Sequence, residues 1–250
     1  MDEEYLQKIV ENTSIRPSFQ VVLTGVGSKL EANFTPPLTA RAGCSHELAL
    51  VSLETFYSFG NIDELNNKIK VFLQDSWEII TIPIGCYELV DINTELQRQI
   101  LLKKGAKNAI KLEPNYNTLK CIMTLSKGVK VDMTLKNSLR SVLGFKSQVY
   151  NEGRHESENT VNIMSINSIL VHCNLIGSSY LNGGLQPIIY SFFPNVSPGS
   201  KIVEKPSNII YLPVSSDLIY QMTAWLTDQN NKPIDLRGEV LTIKFHFRVC

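Results

Sequence analysis

The chain has 250 residues, enough to bury roughly 75% of its unfolded surface without disulfide or metal staples. Lysine plus arginine balances aspartate plus glutamate at 24 each, so there is no global basic field to hold nucleic acid and no acidic tail. The five cysteines (Cys44, Cys86, Cys121, Cys173, Cys250) are widely spaced and form no CxxC pair, which suits free thiols in a reducing compartment.

The opening Met1-Asp-Glu-Glu-Tyr5 is acidic and no apolar run follows it, so no signal peptide is expected. No apolar stretch approaches the roughly 18 residues of a membrane span. The expectation is a soluble chain made in the cytoplasm, where the sequons at Asn12, Asn33 and Asn195 carry no weight. Residues 1 to about 45 read as an N-terminal arm. Asp2 can cap a short helix whose Tyr5, Leu6, Ile9 and Val10 form one apolar stripe. So short a helix needs a docking partner, in this domain or in another subunit. Gly25, Gly27, Pro36, Pro37 and Gly43 then suggest an extended segment outside the core.

A single domain is expected over residues 46–250. Strands are predicted over 48–59, 68–73 and 77–82, the last closed by Pro83 and Gly85. One helix follows, with Asp91 as its cap. Leu89, Ile92, Leu96 and Ile100 share a face, Lys103 and Lys104 sit in the last turn, and Gly105 ends it after roughly three turns. Strands resume over 110–113, 119–125 and 129–133, and 137–145 looks like one helical turn stopped by Gly144. Long strands are predicted over 161–175, 187–193, 209–214 and 217–227. The last strand alternates: Leu241, Ile243, Phe245, Phe247 and Val249 point one way, and Thr242, Lys244, His246 and Arg248 the other. Eight or more strands, one helix and frequent Gly, Pro and Asn turns argue for an all-β sandwich or barrel.

The stock of catalytic chemistry is small. Of the four histidines, His172 adjoins Cys173 in one strand, so the two face opposite ways and cannot share a metal. His246 reads as a solvent-exposed or sheet-edge residue. His155 lies in a polar loop whose His-Glu pair lacks the second histidine of a zinc-protease helix. There is no nucleophile elbow, phosphate-cradling loop or dinucleotide fingerprint. No catalytic, metal or cofactor-binding residue is therefore assigned, no enzyme is expected, and no small-molecule substrate is predicted. The segment Tyr190-Ser-Phe-Phe-Pro-Asn-Val-Ser-Pro-Gly199, with Phe193 and Pro194 at its middle, reads either as a core strand end at Phe192 followed by a rigid loop or as a fixed apolar loop offered to a neighbouring subunit. Arg237 is similarly split between a tight corner and a subunit seam.

A resemblance lies in this same region. His155-Glu-Ser157, Val161-Asn-Ile163, Cys173-Asn174, Gly177-Ser-Ser-Tyr-Leu-Asn-Gly183, Phe192-Phe-Pro-Asn-Val-Ser-Pro-Gly199, Lys201-Ile-Val-Glu204, Ile210-Tyr-Leu-Pro-Val214 and Asp228-Gln229 through Ile234-Asp-Leu-Arg-Gly-Glu239 resemble the minor capsid (penton-like) proteins of Maverick/Polinton elements and adintoviruses. Ile82-Pro-Ile-Gly-Cys-Tyr-Glu88 and Ser141-Val-Leu-Gly-Phe145 are similar too, so the likeness covers roughly residues 78–249. Where that family often has a tryptophan before His-Glu-Ser, this chain has Arg154.

The resemblance implies a single jelly-roll β-sandwich of two antiparallel sheets, with the helix as a short insertion. It also implies a structural role as a homopentamer at the vertices of an icosahedral capsid, beside trimers of a double jelly-roll major capsid protein. The location would be the virion, with synthesis in the host cytoplasm and assembly there or in the nucleus. Tyr5, Leu6, Ile9, Val10, Phe193, Pro194 and Arg237 are the expected subunit-interface residues. The alternative is a jelly-roll ligand-binding module, lectin-like or receptor-binding, with Tyr180, Tyr190 and Trp225 near Asp217 as its exposed aromatics.

Overall fold

In a computed structural model, the structure describes residues 18–39, 45–163 and 166–249. The chain divides into two units: Met1–Ser58 with Ile166–Cys250, and the inserted Phe59–Ser165. Before the insertion come β1 (Ser18–Val26), β2 (Lys29–Thr39) and β3 (His46–Phe56). The insertion carries β4 (Lys68–Leu73), β5 (Ser76–Thr81), α1 (Leu89–Lys104), β6 (Ile110–Asn115) and β7 (Lys120–Leu125). It continues with β8 (Lys130–Asp132), α2 (Arg140–Leu143), β9 (Val149–Tyr150) and β10 (Gly153–Glu156). After it come β11 (Ile169–Cys173), β12 (Ser179–Leu181), β13 (Gly184–Gln186), β14 (Ile188–Phe192) and β15 (Lys201–Glu204). The chain closes with β16 (Leu212–Pro213), β17 (Leu218–Asp228) and β18 (Val240–Val249).

The first unit is a sandwich of two antiparallel sheets, ordered β1-β18-β3-β15 and β14-β11-β17-β2. Numbered by sequence within the sandwich, these eight strands read 1-8-3-6 and 5-4-7-2, the Greek-key order of a jelly roll. The alternation of β18 explains its central place. Leu241, Ile243, Phe245 and Phe247 are fully buried, while Thr242, Lys244, His246 and Arg248 are half-buried on the outer face. Register carries that inner face onto β1, where Phe19, Val21 and Leu23 lie opposite Phe247, Phe245 and Ile243. Phe19 stacks on Phe247 with ring centroids 4.9 Å apart. Val171, Cys173, Met222, Ala224 and Leu226 form the buried face of the other sheet.

The expected arm is therefore corrected. Residues 18–26 and 29–39 are strands of the sandwich, so the domain does not begin at residue 46. The breakers that suggested an arm have local reasons. Gly27, at φ +90°, makes the turn between the strands. Pro36 and Pro37 lie on β2 between Asn33 and Leu38, where a break in the register with β17 leaves residues 34–37 unpaired, so their missing N–H groups cost no ladder bond. The expected helix with Tyr5, Leu6, Ile9 and Val10 lies outside the described residues. Two long strands shrink as well: 161–175 to Ile169–Cys173, and 209–214 to Leu212–Pro213. Ile163 packs instead against the core of the inserted unit.

The insertion is more than one helix. It has a four-stranded sheet, β5-β4-β8-β9, a three-stranded sheet, β10-β7-β6, and its own buried core. The core face of α1 is as expected, since Leu89, Ile92, Leu96 and Ile100 are all buried. Its cap is Glu88, with Asp91 three residues on as the returning half of a capping box, so the helix runs 16 residues and exceeds three turns. Gly105, in the left-handed conformation, ends it, donating its N–H to the Leu101 carbonyl over 2.8 Å.

Candidate functional site

The β14–β15 and β17–β18 loops, which carry the interface candidates Phe193, Pro194 and Arg237, lie at one end of the sandwich. Tyr57 and Ser58, just past β3, tie them together. Tyr57 N–H donates to the Ser200 carbonyl over 2.9 Å, and its own carbonyl accepts from Gly199 N–H over 2.8 Å. Ser58 Oγ donates to the Leu236 carbonyl over 2.7 Å. The β1–β2 turn joins the same end, with Gly27 N–H donating to the Glu239 carbonyl over 3.1 Å.

Each loop has a reason for its shape. Phe192 is buried at the end of β14, Phe193 is 44% exposed, and Pro194 is buried. Pro194 thus anchors its loop inside the chain, while Phe193 is the ring offered to the outside. In the other loop Ile234 and Leu236 are buried plugs. Arg237 and Gly238 both have positive φ, and Glu239 N–H returns to the Leu236 carbonyl over 3.0 Å, as in a type I′ turn. Asp235 Oδ1 also accepts from Arg237 N–H over 2.8 Å. The corner reading of Arg237 holds, and its side chain is exposed. Sequence reasoning missed Tyr57 and Ser58, because a strand-end serine carries no signal of which distant carbonyl it will meet.

The polar face of β18 is organised on the same sheet. Tyr211 Oη and His246 Nδ1 share a hydrogen bond of 2.6 Å, the Arg248 guanidinium lies 3.8 Å from the Tyr211 ring centroid, and Arg248 Nε donates to Glu47 over 2.5 Å. His246 is thus half-buried in a network and is not a free surface histidine. The aromatics of the ligand-binding alternative are partly committed elsewhere. Trp225 stacks on His172, and Tyr190 Oη donates to Glu204 over 2.8 Å. Burial and the Glu204 carboxylate push the Tyr190 phenol up to about 12. Tyr180 and Asp217 are exposed.

No family model and no curated protein matches the chain. Among solved structures, the crystal structure of the selenomethionine-labelled mavirus penton protein is similar, with a TM-score of 0.49 and 11% identity over 94% of this chain and 100% of that one.

Proposed function

We propose that the chain is a structural capsid protein that forms a homopentameric vertex beside trimers of a double jelly-roll major capsid protein. One observation carries the reading: the Phe192–Gly199 and Asp228–Glu239 stretches that resemble penton-like proteins are the two loops tied together by Tyr57 and Ser58. The jelly-roll strand order supports it, because the resemblance implies that architecture. The mechanism is geometric. A heterologous contact repeated by a fivefold rotation closes into a ring. Phe193 and Arg237 supply side chains to that seam, and Pro194 holds the Phe193 loop in shape with little ordering entropy left to lose. Tyr5, Leu6, Ile9 and Val10 are the further contact residues of this proposal. The protein would work in the virion by shape, without a catalytic site.

Light scattering and negative-stain electron microscopy of the purified chain test this reading. Rings of five, or incorporation into particles with the major protein, are expected. A strictly monomeric species in both settings overturns it.

A further inference from the structure

The four-stranded sheet of the inserted unit has two unlike faces. Ile69, Val71, Ile80, Val131 and Tyr150 point into the unit's core. The other face is set by the register Phe72↔Trp77, Phe72↔Lys130, Lys70↔Ile79 and Lys70↔Asp132. It carries two aromatic rings and an excess of cations. Trp77 is 40% exposed and Ile79 45%. The Phe72 and Trp77 rings lie 5.4 Å apart at 60°. Lys70 Nζ sits 4.9 Å from the Trp77 ring centroid, and Lys130 Nζ 5.8 Å from that of Phe72. Lys68 lies two residues before Lys70 and so shares its face.

Against these three lysines the register places one carboxylate, Asp132, which is already engaged. It accepts from Thr134 Oγ1 over 2.6 Å, from Thr134 N–H over 2.9 Å and from Lys70 over 3.1 Å. Among the described residues, neither Lys68 nor Lys130 has an ion-pair partner. Lysine stems commonly shield exposed rings, which accounts for one lysine over each ring. It does not account for a cationic excess on an otherwise neutral chain. Two cross-strand rings on a face where the Lys68 and Lys130 ammonium groups have no carboxylate partner among the described residues match a ligand with flat π-faces and a polyanionic backbone.

We infer that this sheet face binds single-stranded nucleic acid. Phe72 and Trp77 are the stacking platform, and Lys68, Lys70 and Lys130 contact phosphates. Duplex cannot present unpaired base faces to the rings and is the weaker ligand.

Trp77 and Trp225 are the two tryptophans of the chain, so a full-length Trp225→Phe variant leaves Trp77 as the sole indole reporter. Titration at low salt with an oligothymidylate of about 20 nucleotides, longer than one such site, should quench its fluorescence saturably. Trp77→Ala, read by anisotropy of a labelled oligonucleotide, should weaken binding at least roughly fivefold, while Trp77→Phe retains it. Lys68→Glu with Lys130→Glu should abolish binding at low salt. Three phosphate contacts predict a log–log salt slope of about −2. Circular dichroism verifies that each variant is folded. An unquenched Trp77, full affinity in folded Trp77→Ala, or equal affinity for duplex or for polyglutamate overturns the inference.

Discussion

The imidazole of His172 lies flat on the Trp225 indole, with ring centroids 5.0 Å apart and planes 7° from parallel. His172 is fully buried, and its Nε2 shares a 2.8 Å hydrogen bond with Thr227 Oγ1. The Thr227 hydroxyl donates to the Asp228 carbonyl over 3.2 Å, so Nε2 must be the donor to Thr227. That leaves Nδ1 as a bare, unpartnered lone pair in the core. Protonation there would bury a charge with no acceptor, and burial accordingly holds the His172 pKa below its ordinary value. His46 is lowered the same way, by burial opposed in part by the Asp217 carboxylate.

Acid sensitivity follows. The unfolded chain takes up these protons first as pH falls through about 6.5, so stability present above that value is lost below it. The loss runs at up to about 1.4 kcal/mol per pH unit for each histidine until its folded-state pKa is reached. Urea unfolding at pH 7.5 and pH 5 should show the drop, and His172→Phe should flatten it. An equal drop in His172→Phe and the parent would count against His172 as a source.

Removing residues 1–45 should unfold the sandwich rather than trim an arm. The deletion takes β1 and β2 from the two sheets, stripping Phe19 from Phe247 and Leu30 from beside Ala224. Losing even one large buried side chain costs about 3–5 kcal/mol, and two strands exceed the margin of an ordinary domain. A soluble, cooperatively folded protein lacking residues 1–45 would refute the assignment.

The contrast between β18 and β1 explains what was legible. In β18 every second residue is a large apolar one, so the period of two needs no tertiary information. In β1 the inward positions include Gly25 opposite Leu241, and Val22 and Val26 face outward, so the pattern blurs. The prolines of β2 look like breakers until the register shows that they fall between Asn33 and Leu38, where β2 has no partner on β17. Of the site, the rigid Phe-Phe-Pro loop and the Arg-Gly corner were visible as local turn chemistry. Their union through Tyr57 and Ser58 depends on long-range pairing that no local spacing encodes. The Lys/aromatic sheet face was hidden for a similar reason, because Trp77 and Lys130 become neighbours of Phe72 only through register.

Gly144 is the least replaceable glycine of the insertion. Its φ is +81°, and a Cβ there would lie 2.3 Å from the Asn159 carbonyl oxygen and 2.8 Å from that of Thr160. Both atoms are backbone, and Asn159 N–H is itself bonded to the Gly144 carbonyl over 2.9 Å, so neither segment can give way cheaply. Gly144→Ala should cost about 3 kcal/mol or more, from strain and clash together. Gly128→Ala, also at positive φ but in open space, should cost only about 1 kcal/mol. Matching midpoints for the two variants in denaturant would show that the close approach is not rigid.

Two of the five cysteines should resist a thiol reagent in the native protein. Burial pushes the Cys121 and Cys173 thiols up to about 12, and both side chains are fully buried. Neither proximity nor thiolate is then available at pH 8. Mass spectrometry after alkylation should find Cys121 and Cys173 unmodified until denaturant is added, with Cys86 reacting earlier from its half-buried site. Cys44 and Cys250 lie outside the described residues. Early labelling of Cys173 would mean that the sandwich opens locally around β11.

Asn61 closes the insertion on itself. Its Nδ2 donates to the Tyr87 carbonyl over 2.7 Å and to the Ile163 carbonyl over 3.0 Å, and its Oδ1 accepts from Tyr87 N–H over 2.9 Å. One side chain near the unit's first residue thereby holds a residue near its last. With both ends fixed together and a core drawn wholly from its own residues, the insertion interrupts the sandwich without needing it. Residues 59–165 expressed alone should fold with a single cooperative urea transition. Asn61→Ala would leave Tyr87 N–H and two carbonyls without this partner, at a cost of about 3 kcal/mol in a site only 8% exposed. Asn61→Asp should fall nearly as far, because a carboxylate cannot donate to either carbonyl. A non-cooperative fragment would show that the insertion depends on the sandwich, and an Asn61→Ala effect under about 0.5 kcal/mol would show that the closure is incidental.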